Sequence, residues 1–66
     1  MDVTVNGARC EVPEGITVRG LVEHLGFLEG PVAVEINRAV VPRARHGERV
    51  VASGDEIEIV HFVGGG

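Results

Sequence analysis

The sequence contains no lysine, and all six of its basic residues are arginine. Without lysine the chain carries no side-chain amine, so only the α-amine of Met1 could attack an acyl group activated on the same molecule. Two explanations stay open, a general compositional preference for arginine and the protection of a reactive acyl group from nearby amines. Other features of the sequence must decide whether such a group exists.

Aromatic residues and cysteine are also scarce. Two phenylalanines, with no tryptophan or tyrosine, leave few rings for base stacking, and a net charge of -4 without a basic run predicts no nucleic-acid partner. The single cysteine, Cys10, cannot form an internal disulfide and is most simply a small core residue. No signal peptide or long apolar stretch occurs, which predicts a cytoplasmic protein without a membrane partner.

The length of 66 residues limits what the chain can do alone. A domain this short buries only about 60 % of the surface that its unfolded chain exposes, so we expect no catalytic pocket and no enzyme activity. The three histidines, His24, His46 and His61, lack the spacing of metal ligands. Because no nucleophile and base pair or phosphate loop is recognisable either, the sequence predicts no metal site and no bound cofactor.

The first half of the chain predicts a hairpin followed by a helix. Apolar and polar residues alternate over residues 1–6 and 8–12, and Asn6-Gly7 between them is typical of a tight hairpin turn. Thr17 is a candidate N-cap for a helix over residues 18–25, in which apolar residues recur at helical spacing.

The second half predicts further strands. Residues 32–37 alternate, residues 39–41 form a short strand that Pro42 marks as an edge, and residues 43–49 form a polar loop rich in arginine. This loop is either solvated or a docking surface. A last strand, parallel to the first through the helical crossover, completes a ββαββ pattern, so the predicted class is α+β, a β-grasp fold with a mixed four- to five-stranded sheet packed on one helix.

The last eleven residues join this strand to a tail. In residues 56–63 acidic and branched residues alternate, with Ile57 and Ile59 predicted to face the helix and Val60 and Phe62 the opposite side. Gly64, Gly65 and Gly66 carry no side chain, and such a backbone can enter a narrow active site. We therefore expect a β-grasp domain over residues 1–63 and a flexible C-terminal glycine tail over residues 64–66. A frayed end is the simpler alternative.

The chain resembles the ThiS family, the ubiquitin-like sulfur carrier proteins of thiamine biosynthesis. The resemblance covers the whole chain, and the glycine ending is its most specific part. Arg38 is a departure, because the family often has glycine in this turn. The stretches that carry the resemblance are residues 32–37 (VAVEIN), 40–43 (VVPR), 54–60 (GDEIEIV) and 61–66 (HFVGGG).

The resemblance implies chemistry at the carboxylate of Gly66. A ThiF-like adenylating enzyme would use ATP and magnesium to convert this carboxylate to an acyl adenylate. Sulfur relayed from a cysteine desulfurase would then replace the adenylate and leave a thiocarboxylate, which the thiazole synthase ThiG would incorporate into the thiazole ring. The chain would be a protein cosubstrate of these partners, without a bound cofactor of its own.

Alternatives to this function stay open. They are a molybdopterin-type sulfur carrier, a ubiquitin-like modifier joined to target lysines, and a plain interaction module. For partner binding, we expect Val60 and Phe62 to form an apolar patch beside the tail. If Phe62 is instead a core residue, the loop over residues 43–49 is the next candidate.

Overall fold

Five strands and one α-helix occur in the predicted chain order within residues 1–27 and 31–62, which the computed structural model describes. A short 3-10 helix, Arg43–Arg45, lies where the sequence predicted only a polar loop. The helix is α1 (Val18–His24), and the strands are β1 (Asp2–Val5), β2 (Ala8–Glu11), β3 (Val32–Ile36), β4 (Ala39–Val41) and β5 (Glu56–His61).

The strands form one mixed sheet in the order β2-β1-β5-β3-β4. β1 pairs with β5 in parallel, with Thr4 opposite Glu56, whereas the other neighbours are antiparallel. The helical connection makes this parallel pairing possible, because parallel neighbours need a long crossover. The sheet and helix confirm the predicted β-grasp class, and they place the strand that leads into the tail at the centre of the sheet.

Both hairpins turn through residues with positive φ, which the sequence predicted for Asn6-Gly7. Asn6 and Gly7 have φ of 50° and 82°, and Asn37 and Arg38 have φ of 51° and 70°. Two such residues give the turn a twist that matches the flanking strands. Asparagine adopts this conformation at low cost, but Arg38 adopts it at a cost of about 1 kcal/mol, because its Cβ approaches the following carbonyl oxygen.

The helix begins and ends with the expected caps. Thr17 Oγ1 accepts a hydrogen bond from the Gly20 N–H at 3.1 Å, which confirms Thr17 as the N-cap. A Cβ on Gly20 would lie 3.0 Å from the side chain of Ile16, so glycine avoids a close contact at the start of the helix. Gly26, with φ of 88°, follows the C-cap residue Leu25.

Residues 43–49 cap the same helix from outside. The N–H groups of Val18 and Arg19 donate to the carbonyl oxygens of Arg49 and His46, at 2.9 and 2.8 Å. The buried His46 ring donates through Nε2 to the carbonyl oxygen of Val41 at 3.0 Å, since a carbonyl can only accept. These bonds satisfy helix N–H groups that lack an intrahelical partner, so the loop is part of the fold.

The core lies between the helix and one face of the sheet. It is exclusively aliphatic among the described residues, and Ile57 of the central strand is only 1 % exposed. Cys10 packs against it, half-buried, as a small core-edge residue. The buried residues of the core are Val3, Val12, Val18, Leu21, Val22, Val34, Ile36, Val41, Val51, Ile57 and Ile59.

Candidate functional site at the end of the central strand

The central strand β5 has one buried and one open face. Ile57 and Ile59 are buried against the helix side, whereas Glu56, Glu58 and Val60 are exposed on the other side, as the alternation predicted. β1 pairs with the first two residues of β5 on one edge and β3 pairs with residues 57–61 on the other, so backbone pairing determines the direction of the strand. The strand thus forms a rigid base for whatever follows it.

The side chain of Asn6, which follows β1, adds two hydrogen bonds to β5 beyond the β1–β5 pairing. The Asn6 side chain accepts a hydrogen bond from the Ile59 N–H at 2.7 Å and donates one to the Ile59 carbonyl oxygen at 3.1 Å. The amide therefore replaces the backbone partner that β1 no longer supplies after its last residue. The sequence analysis treated Asn6 only as a turn residue and missed this role.

Asn37 fixes the start of the same strand. Its side chain accepts from the Glu56 N–H at 3.0 Å and donates to the carboxylate of Asp55, also at 3.0 Å. Asp55 is buried, and it accepts a further bond from the Ala52 N–H at 2.8 Å. The asparagines that begin both hairpin turns could have suggested these hydrogen bonds, because asparagine side chains readily hydrogen-bond to backbone groups.

The last described residues, His61 and Phe62, are held by contacts on the β3 edge of β5 and by Phe27. The Phe62 N–H donates to the carbonyl oxygen of Pro31 at 3.0 Å, and His61 lies opposite Val32 in the β3 ladder. The ring of Phe27 meets the His61 ring edge to face, with centroids 5.6 Å apart. These contacts place the backbone as far as Phe62, the last described residue before Val63 and the tail.

Val60 and Phe62 project from the open face of the sheet. Their exposed fractions are 54 % and 52 %, so both remain available to a partner. Phe62 lies outside the buried core, which contradicts the alternative that it is a core residue. Their role in binding stays a prediction.

The surroundings of this patch are acidic. Glu35 and Glu58 lie directly opposite each other on β3 and β5, and Val40 of β4 lies opposite Glu35. Like charges in such a pair destabilise a sheet, so a folded protein gains nothing from this arrangement by itself. The sequence analysis did not predict it, because the pairing depends on strand register.

Val63, Gly64, Gly65 and Gly66 lie outside the described residues, as does the predicted boundary between domain and tail. Within residues 1–27 and 31–62, no group of three or more candidate ligand side chains is placed to hold a metal ion. In the same part of the chain, no helix has the length and apolar character needed to cross a membrane.

Comparison with known proteins decides the family. The model of the ThiS family matches residues 3–66, nearly the whole chain. The chain belongs to the ThiS family. The sulfur carrier protein ThiS of Escherichia coli is 30% identical over 66 residues, which cover 100% of both chains.

A solved structure and a longer protein extend this picture of the ThiS family. The crystal structure of a thiamine biosynthesis protein (ThiS) from Geobacter metallireducens has a TM-score of 0.84 and 35% identity, with 100% of both chains covered. A thiazole synthase from Magnetococcus marinus is 46% identical over 66 residues. The match covers 100% of this chain but 20% of that protein, so the chain spans one fifth of its length.

Proposed function

We propose that this chain is a sulfur carrier protein of thiamine biosynthesis and that Gly66 is its acyl-carrying residue. One observation carries the proposal, namely that the ThiS family match runs through residue 66 and so includes the glycine tail. The full-length similarity to the Escherichia coli sulfur carrier supports the same function. The molybdopterin-type carrier, the modifier and the interaction module become outcomes of the tests below.

The reaction uses the carboxylate of Gly66. A carboxylate oxygen attacks the α-phosphorus of ATP in the adenylating enzyme, and pyrophosphate leaves. The terminal sulfur of a protein persulfide then attacks the activated carbonyl, and AMP leaves. A second thiol reduces the acyl disulfide that results, which leaves a thiocarboxylate on Gly66. Each step occurs on a partner, and the carrier supplies only the acyl group, so we propose a protein cosubstrate and not an enzyme.

The fold determines which surface a tail-binding enzyme must contact. Four residues, 63–66, span at most about 14 Å when extended, at about 3.5 Å per residue. A protein that binds Gly66 must therefore approach the end of β5. Val60 and Phe62 are the exposed apolar side chains there, so we assign them to the docking face, with Glu35 and Glu58 favouring a basic partner surface.

We propose three partners. A ThiF-like enzyme, which would bind ATP and magnesium, adenylates Gly66, and a cysteine desulfurase supplies sulfur indirectly. The thiazole synthase ThiG receives the sulfur, and the thiazole synthase of Magnetococcus marinus supports this assignment because it contains a region similar to the whole chain. The need for ATP and a persulfide donor makes the cytoplasm the expected compartment.

Mass spectrometry of the protein from its own cells tests the function directly. Trypsin cleaves after arginine, and Arg49 is the last arginine, so the peptide of residues 50–66 contains the tail but not Cys10. We expect a fraction of this peptide in which one sulfur replaces one oxygen. Sulfur found only on the Cys10 peptide would contradict the proposal, as would a native chain that continues beyond Gly66.

Deletion of Gly66 provides the matched control. Because glycine has no side chain to bury in a core, the deletion should leave the thermal unfolding unchanged and abolish adenylation by the ThiF-like enzyme. A deletion variant that still acquires a thiocarboxylate at the normal rate would refute the role of Gly66. An amide bond between Gly66 and a target lysine would support a modifier, and sulfur transfer to a molybdopterin synthase alone would support that carrier.

A further inference from the structure

A groove lies on the helix side of the sheet, opposite the patch of Val60 and Phe62. Its floor is apolar and its rim carries two arginines, Arg19 at the start of α1 and Arg43 at the start of the 3-10 helix. Glu23 and the buried His46 complete the border. The apolar side chains that line it are Val22, Phe27, Pro31 and Val32.

Among the described residues, the two rim arginines have no ion-pair partner. The ion pairs within residues 1–27 and 31–62 are Arg9 with Asp2 and Arg45 with Glu48, so neither Arg19 nor Arg43 has a carboxylate partner there. The Arg19 guanidinium lies over Gly47, where a Cβ would be 3.8 Å from its central carbon. A Cβ at that distance would make only an ordinary van der Waals contact, so the observation places the guanidinium beside the loop, where it lines the groove with the apolar side chains.

The groove extends to the end of β5, where His61 and Phe62 precede the tail. Phe27 contacts the His61 ring, and Pro31 accepts the backbone hydrogen bond of Phe62. The backbone that leads into the tail therefore runs between two surfaces of opposite charge. The open face of the sheet presents Glu35 and Glu58, whereas the groove presents Arg19 and Arg43 against one carboxylate, Glu23, and so carries a net positive charge.

We infer that the groove docks an acidic segment of a tail-receiving enzyme, one that carries a carboxylate beside an apolar side chain. This inference rests on the proposed sulfur-carrier function. A guanidinium binds a carboxylate through two parallel hydrogen bonds, and the apolar floor accepts the neighbouring side chain. An enzyme that binds both the groove and the patch of Val60 and Phe62 contacts both faces of the sheet at the end of β5. Such binding fixes the direction in which the tail leaves the strand.

Charge reversal tests the groove with the two enzymes as probes. Binding of the ThiF-like enzyme and of ThiG is measured by titration calorimetry for the wild type, for Arg19→Glu with Arg43→Glu, and for the double control Arg45→Glu with Arg49→Glu. The control lies in the same loop and makes the same charge change, but it lines a different depression, beside β4. Thermal unfolding and the milder pair Arg19→Gln with Arg43→Gln separate lost binding from lost folding.

The groove variant should bind at least one of the two enzymes about tenfold more weakly, whereas the control stays within about threefold of the wild type. Added salt should shrink the difference, because exposed charges are screened. Equal binding of groove and control variants to both enzymes overturns the inference. Thiocarboxylate on the wild-type tail is scored separately, so its absence refutes the proposed function, and its presence with equal binding refutes the groove alone.

Discussion

Truncation of Phe62 to alanine is the most direct test of the docking face. A fully buried aromatic residue contributes about 150–250 Å² of contact area. Since Phe62 is 52 % exposed, about 100 Å² remains for a partner to cover, which at about 25 cal/mol per Å² is worth about 2.5 kcal/mol. Alanine keeps part of this area, so we expect Phe62→Ala to weaken binding by about 1.5–2 kcal/mol, or about ten- to thirtyfold in Kd.

The assay compares three variants by calorimetry against the ThiF-like enzyme and ThiG. Phe62→Leu keeps most of the apolar area and should bind nearly as the wild type does. Val50→Ala removes a valine of similar exposure to Val60, at a position outside the sheet face, and should have no effect. Denaturant unfolding of the same variants shows whether the fold has changed.

Two results would refute the reasoning. Wild-type affinity of Phe62→Ala for both enzymes would remove Phe62 from the docking face and make residues 43–49 the next candidate. A loss of about 3 kcal/mol or more in the free energy of unfolding is typical of a truncated core phenylalanine, and it would show that the exposed position is wrong.

Three further predictions concern the strand that carries the tail. Asn6→Asp replaces the donor to the Ile59 carbonyl oxygen with a second acceptor, so it should lower the free energy of unfolding by about 1–2 kcal/mol and speed hydrogen exchange at the Ile59 amide. Arg38→Gly should raise that free energy by about 0.5–1 kcal/mol in a denaturant titration, because glycine adopts positive φ without strain. Glu58→Gln relieves the repulsion with Glu35 and should stabilise the fold by about 0.2–1 kcal/mol, yet weaken calorimetric binding to a basic partner surface; stronger binding would contradict an acidic docking face.

Local signals in the sequence were sufficient for the elements. The alternation in each strand, the Asn-led turns and the Thr17 cap depend on residues close together in the chain, and the structure agrees with each of them. The parallel pairing of β1 with β5 followed from the helical crossover, which leaves few possible topologies.

What the sequence did not predict depends on distant pairings. The side-chain clamp of Asn6 on Ile59 joins residues 53 positions apart, and nothing near Asn6 specifies that partner. The polarity of residues 43–49 predicted either a solvated loop or a docking surface, but it did not reveal that their backbone carbonyls cap α1 while their arginine side chains remain exposed. Burial of His46 likewise depends on Val41 of an edge strand, which a pattern of single residues cannot reveal.

Because ordering the glycine tail in a partner costs conformational entropy, the contact between the folded domain and that partner must be large. Holding Gly64, Gly65 and Gly66 in one conformation inside a partner costs about 1–2 kcal/mol per residue, or about 3–6 kcal/mol in all. Phe62 alone offsets about 2.5 kcal/mol of this cost. Docking must therefore draw on more of the surface, and the acidic face and the groove with Arg19 and Arg43 are the features that border the end of β5. A small net gain would suit the proposed function, because a sulfur carrier must leave the adenylating enzyme before it can bind the thiazole synthase.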